Sequence, residues 1–146
     1  MMDNKIYWLI WEIGCSVGLR ISDILNLSVK QILRQKFYIK EIKTGKRKHV
    51  YIRQAILFEF KKYIRENKIP LHNKAFNIDR KNVWYVFKKN AVAVGITKNV
   101  GTHTMRHTYA IKYFKNHGIK SLQKKLNHDS IGDTISYTLG NDFFKE

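Results

Sequence analysis

The segment "GTHTMRHTYAIKYF" (Gly101–Phe114) holds two histidines and an arginine within five residues, where an apolar periodic stretch begins. His103 and Arg106 are three apart, a spacing that puts both on one helical face. In the first turn of such a helix, free backbone N–H groups and the helix dipole already favour an anion. A phosphate fits this constellation; on this segment alone, a solvated basic helix start fits equally well. His107 is expected elsewhere on the helix surface, as a hydrogen-bonded structural histidine.

Three further segments carry residues with chemical potential. "GLRISDILNL" sets Arg20 immediately after a glycine turn, between two apolar helices. An arginine there is either half of a structural ion pair or a charge aimed into a cleft. "KTGKRKHVYI" brings Lys43 to a basic turn, followed by Lys46, Arg47 and Lys48. Cations in a turn are ordinarily solvated, but these three are also candidates for contact with an anionic partner. "LNHDSIGDTISY" ends in Tyr137, nine residues after His128. A lone tyrosine in an apolar segment is usually core.

These residues need elements to hold them. Ile6, Leu9, Ile10, Ile13 and Val17 fall at helical spacing, so a first helix is expected over about Lys5 to Val17, breaking near Gly18. Ser22 is a candidate cap for a short helix through Leu27, with Asp23 at the positive end of its dipole. "KFYIKEIK", "TGKRK" and "HVYI" read as strand, turn and returning strand. Amphipathic helices follow at Gln54–Asn67, ended by Pro70, and at Arg80–Gly95. Thr102 can cap the next helix, and Gly118 fits just past its end. Short helices are expected in "IKSLQKKLNH" and "DSIGDTISYTL". The expected fold is mainly α with a small antiparallel β-sheet, a hairpin or three strands.

The totals narrow the partners. The 146 residues suit one domain with a sizeable core. With 28 Lys+Arg against 11 Asp+Glu, the formal net charge is +17, an excess that usually implies a polyanionic partner. Nucleic acid comes first; a membrane surface is disfavoured because the basic residues form no single amphipathic helix. Cys15 is the only cysteine, which excludes an internal disulfide and fits a reducing compartment. "IYWLIWEIGCSVGL" is too short to span a membrane, is interrupted by Glu12 and lacks a cleavage site. A soluble, cytoplasmic protein is expected.

Taken together, these segments resemble the catalytic domain of the tyrosine recombinases, the phage-integrase family of site-specific DNA recombinases. That family's pattern is an arginine in G-L-R-x-S-E/D, a lysine in a β-hairpin, H-x-x-R-H-T, then L-G-H-x-S and a tyrosine nine residues past that histidine. Residue by residue, the resemblance assigns Arg20, Lys43, His103, Arg106, His128 and Tyr137, all in order. Lys46 is a rival to Lys43, which is preferred because it ends the first strand. Asn127 replaces the usual glycine, and Asp129 the usual small polar residue.

The resemblance implies strand breakage and rejoining of double-stranded DNA through a covalent 3′-phosphotyrosine, with Tyr137 as nucleophile. Arg20 and Arg106 would neutralise the phosphate, His103 would act as general base and Lys43 as general acid, and His128 would bond a phosphate oxygen. No metal, ATP or other cofactor is called for. Self-association on DNA, as a tetramer, is implied too. Because only about twenty residues precede Arg20, the chain is expected to be a single catalytic domain lacking the family's usual N-terminal DNA-binding domain. The alternatives are a type IB topoisomerase and a catalytically inactive DNA-binding remnant of an integrase.

Overall fold

The structure is a computed structural model that describes residues 4–96 and 100–126. Helix α1 (Lys5–Val17) starts at Asn4, whose side chain accepts from the Ile6 N–H, and ends at Gly18 in the left-handed region (φ 72°). The apolar face legible in the sequence is the buried one: Leu9, Ile10, Ile13 and Val17 face the core, and Ile6 packs at its edge. α1 is the central helix, packed against α4 (Gln54–Glu66), α5 (Arg80–Ala93) and α6 (Thr102–His117). Phe60, Phe76 and Phe87 fill the space between them, and Trp11 meets Phe87 edge to face at 5.2 Å. α7 (Ile119–Lys125) closes a smaller cluster of Tyr109, Ala110, Leu122 and Leu126 against α6.

Two short helices follow the Gly18 turn. α2 (Ile21–Leu25) begins with Arg20 at the N-cap position and has no side-chain cap bond. The expected cap, Ser22, lies inside the helix because the chain is already helical one residue earlier. Ser28 is instead the capping serine, at the head of α3 (Val29–Arg34). Its hydroxyl accepts from Gln31 N–H, and the Gln31 side chain accepts from Ser28 N–H, a reciprocal box that satisfies two orphan donors.

Strands β1 (Lys36–Lys40) and β2 (Arg47–Tyr51) form an antiparallel hairpin in the register Phe37↔Val50 and Ile39↔Lys48. This is a two-stranded sheet among the described residues, so of the two expected forms the hairpin is the one found. Its loop is pinned at its base: Glu41 N–H donates to Lys46 O, and Gly45 N–H donates to Glu41 O, each at 2.8 Å.

α6 starts one residue earlier than expected, with Gly101 at the N-cap and Thr102 already helical and buried. The Thr104 hydroxyl accepts from the Gly101 N–H at 2.9 Å, and Gly118 ends the helix as anticipated. Among the described residues no helix is long and apolar enough to cross a membrane.

Candidate active site

α1 and α6 touch through glycines. A Cβ on Gly14 would lie 2.3 Å from Met105 Sδ, and one on Gly18 would lie 2.2 Å from Tyr109 Cδ2. Both pairs are four apart on their helices, so the two backbones approach along one stripe. Arg106 follows Met105 into this contact and is only 3% exposed. A buried guanidinium must find acceptors for its fixed fork of donors. Arg106 Nη1 donates to Gly18 O at 3.0 Å and Nη2 donates to Leu126 O at 3.2 Å. The left-handed turn at Gly18 thus frees a carbonyl that fixes an arginine on another helix.

Arg20 leaves the same turn in extended conformation. Its Nη1 donates to Glu41 Oε2 at 2.8 Å, and the same oxygen lies 3.9 Å from Arg106 Nη1. The Glu41 side chain has no solvent exposure, whereas that of Arg20 is 21% exposed. A single buried carboxylate therefore brings together the two arginines of the sequence pattern. Asp23 stands behind them, buried, with Oδ1 accepting from Ile42 N–H at 2.9 Å. Burial raises the Asp23 pKa above the usual carboxylate value, and the Ile42 hydrogen bond opposes the rise.

The basic hairpin residues separate by strand alternation. Lys43 does not end the first strand as expected: β1 stops at Lys40, and Lys43 is exposed on the loop. Lys46 is partly buried, and Arg47 is exposed with its guanidinium 3.8 Å from the centre of the Tyr38 ring. Lys48 does not face solvent with them. It points inward with Val50, is 4% exposed, and its Nζ lies 3.4 Å from Gly18 O. Burial, then repulsion from Arg106, pushes its pKa down to about 7. The expectation that Lys48 offers a surface charge to a partner is corrected on this point: strand period two, with Val50 inward, also turns residue 48 inward.

His103 is exposed at the start of α6. Its pKa is lowered by desolvation first, and then by the charges of Arg80, Lys43, Arg106 and Arg20. The imidazole is thus biased toward the neutral form, which can accept a proton. Lys43 and both arginines thus share one electrostatic neighbourhood with His103. Arg80, the first residue of α5, was not anticipated; its position after the capping Asp79 gives no chemical signal in the sequence.

His107 does not stand apart from His103. Their rings are nearly parallel, with centroids 6.4 Å apart, as residues four apart on a helix allow. Burial, then His103 and Arg106, pushes the His107 pKa down to about 4. Of the six residues assigned by resemblance, Arg20, Arg106, His103 and Lys43 share one region. His128 and Tyr137 lie outside the described residues, as do Asn127, Asp129 and the last expected helix.

With this geometry in view, similarity to known proteins becomes specific. The chain is 30% identical over 141 residues to the probable integrase/recombinase YoeC of Bacillus subtilis (strain 168), covering 92% of this chain and 77% of that protein. It is 29% identical over 147 residues to the tyrosine recombinase XerA of Pyrococcus horikoshii, covering 93% of this chain but only 51% of that relative. The fold matches the crystal structure of the XerH site-specific recombinase bound to its difH substrate, with a TM-score of 0.75 and 19% identity, over 94% of this chain and 45% of that one. The chain thus spans about half the length of the XerA and XerH proteins. The sequence profile of the phage integrase family matches residues 3–142, nearly the whole length, and this chain belongs to that family.

Proposed function

We propose that this domain breaks and rejoins DNA strands at specific sites by transesterification through Tyr137. The observation that carries the reading is the convergence of Arg20 and Arg106 on Glu41, beside a histidine biased toward its neutral form. Two guanidiniums offer planar donors to the non-bridging oxygens of a phosphodiester and stay protonated at any working pH. Their stabilisation of charge developing in the transition state is commonly worth about 3–4 kcal/mol per donor.

In the proposed step the Tyr137 phenol oxygen bonds to phosphorus and the bond from phosphorus to the 5′ oxygen breaks. A free phenol has a pKa of about 10, so it needs a base. His103 accepts the phenolic proton, Lys43 gives a proton to the leaving 5′ oxygen, and His128 bonds a phosphate oxygen. The products are a 3′-phosphotyrosyl link and a 5′-hydroxyl. The reverse reaction with another 5′-hydroxyl rejoins strands, and the conserved phosphoester energy removes any need for ATP. Lys43 is favoured over Lys46 by its exposure and by its charge acting on His103.

Double-stranded DNA as the partner is supported by the +17 net charge and by the DNA-bound state of the XerH neighbour. Arg47 lines a groove with His49, Lys124 and Lys125, a basic surface suited to a phosphate backbone. Assembly into a tetramer on DNA belongs to the same proposal.

The test is incubation with a nicked duplex carrying the ends of the genetic element. Loss of the short fragment beyond the nick traps any covalent intermediate, which is seen as a protein–DNA adduct on a denaturing gel. The adduct should form with the unaltered protein and vanish in Tyr137→Phe, while DNA binding is kept. An adduct in the Phe variant would remove Tyr137 from its role. Binding without any adduct would leave a DNA-binding remnant.

A further inference from the structure

Glu41 is foreign to a phosphate site at first sight, because a carboxylate repels the anion that the arginines attract. Yet its side chain is fully buried, and its carboxylate reaches both arginines and the Lys43 loop. Oε2 accepts from Arg20 at 2.8 Å and stands 3.9 Å from Arg106. Oε1 accepts from the Thr44 hydroxyl at 3.2 Å, next to Lys43. The Glu41 backbone closes both ends of the same loop, through Lys46 O and Gly45 N–H. Asp23 adds a second tie between this loop and α2 by accepting from Ile42 N–H.

We infer that Glu41 is a positioning residue that sets Arg20, Arg106 and the Lys43 loop in one fixed arrangement before DNA arrives. The inference rests on the function proposed above. The physical reason lies in the charges. Arg20, Arg106 and Lys48 crowd a poorly solvated space, and without an anion they would repel one another. One carboxylate holds the two guanidiniums together at the cost of a single Arg20 donor. It takes one Nη1 hydrogen bond from Arg20, so the remaining N–H groups stay available for phosphate oxygens. The second oxygen reaches the neighbouring loop, so the arginines and Lys43 share one reference point. Such preorganisation spares the reorganisation that would otherwise accompany the reaction.

The test compares unaltered protein with Glu41→Gln, which keeps the shape and removes the charge. Two nicked duplexes are used, one with an ordinary scissile phosphodiester and one with a methylphosphonate there, which lacks the non-bridging negative charge. Glu41→Gln should slow adduct formation on the ordinary duplex by about 10- to 100-fold, with DNA affinity within about threefold. On the neutral duplex, where arginine alignment matters little, the deficit should shrink to a few-fold. An equal deficit on both duplexes would make Glu41 merely structural and overturn the inference. So would an unaltered rate on the ordinary duplex. Absence of any adduct with the unaltered protein would instead overturn the proposed function, and this inference with it. If the Gln variant does not fold, Glu41→Asp, which keeps the charge but withdraws it by one methylene, must show the same substrate-dependent deficit; a rate equal to that of the unaltered protein would overturn the inference.

Discussion

The carbonyl oxygen of Gly18 accepts from Arg106 at 3.0 Å, so the turn that ends α1 is part of the setting of an arginine on α6. Only glycine serves there, because φ is +72° and a Cβ would lie 2.2 Å from the Tyr109 ring. Gly18→Ala should destabilise the domain by about 2–4 kcal/mol, combining left-handed strain with overpacking. Gly45, also at positive φ (+69°), has its nearest Cβ neighbour 3.7 Å away, and Gly45→Ala should cost only about 1 kcal/mol. Denaturant midpoints of the two variants check this; equal losses would mean that the close approach to Tyr109 contributes nothing.

Arg106→Lys should be severely damaging despite the retained charge. A single ammonium cannot donate in parallel to Gly18 O and Leu126 O and still face a phosphate. Adduct formation should fall by about 100-fold or more. Stability should fall by about 1–3 kcal/mol as a buried carbonyl loses its donor. Single-turnover rates and chemical denaturation measure the two losses separately.

Lys48 gives the fold a pH dependence at the alkaline side. Its pKa is about 7 in the folded protein, against 10.5 as its ordinary value. Between those values the unfolded chain binds a proton that the folded one refuses, so stability rises with pH. The contribution is complete above the ordinary value and is lost as pH falls to about 7. The thermal midpoint of the unaltered protein should therefore gain on that of Lys48→Met from pH 7 to 10. A constant difference would show that the ammonium is not desolvated.

The stacked histidines predict two separable effects. His107 is held neutral down to about pH 4, against an ordinary value of 6.5. Stability is therefore lost as pH falls between those values, when the unfolded chain takes up the proton. His107→Gln should flatten that acid loss. It should also retain more cleavage activity than His103→Gln, because His103 is the exposed ring and the one in the field of Lys43 and Arg20. Melting curves from pH 7 to 4 and adduct rates at pH 7.5 test both; a greater loss of cleavage with His107→Gln would reverse the assignment.

Much of the fold was legible because it depends on local periodicity. The apolar spacing of α1 and the glycine after α6 placed their elements to within a residue or so. The β-formers around "TGKRK" found the hairpin but not its ends, since β1 stops at Lys40 and β2 already starts at Arg47. Capping was less legible: Ser22 and Ser28 are both plausible caps, and only the chain's path decides which one sits at a helix start. The inward turn of Lys48 was readable from alternation with Val50, but the basic composition of the turn outweighed it.

The sequence by itself determined the residue types that can handle a phosphate, Arg20, Lys43, His103 and Arg106, because type and spacing are local properties. Tertiary structure alone decided what holds them. Glu41 looks like one more polar residue between two basic segments, and nothing in its neighbours announces that Arg20 and Arg106 will meet at its carboxylate. Gly18 reads as a helix stop, yet its carbonyl serves both Arg106 and Lys48. Such relations arise when α1, α6 and the hairpin pack together, since buried charges must find partners wherever the backbone brings them.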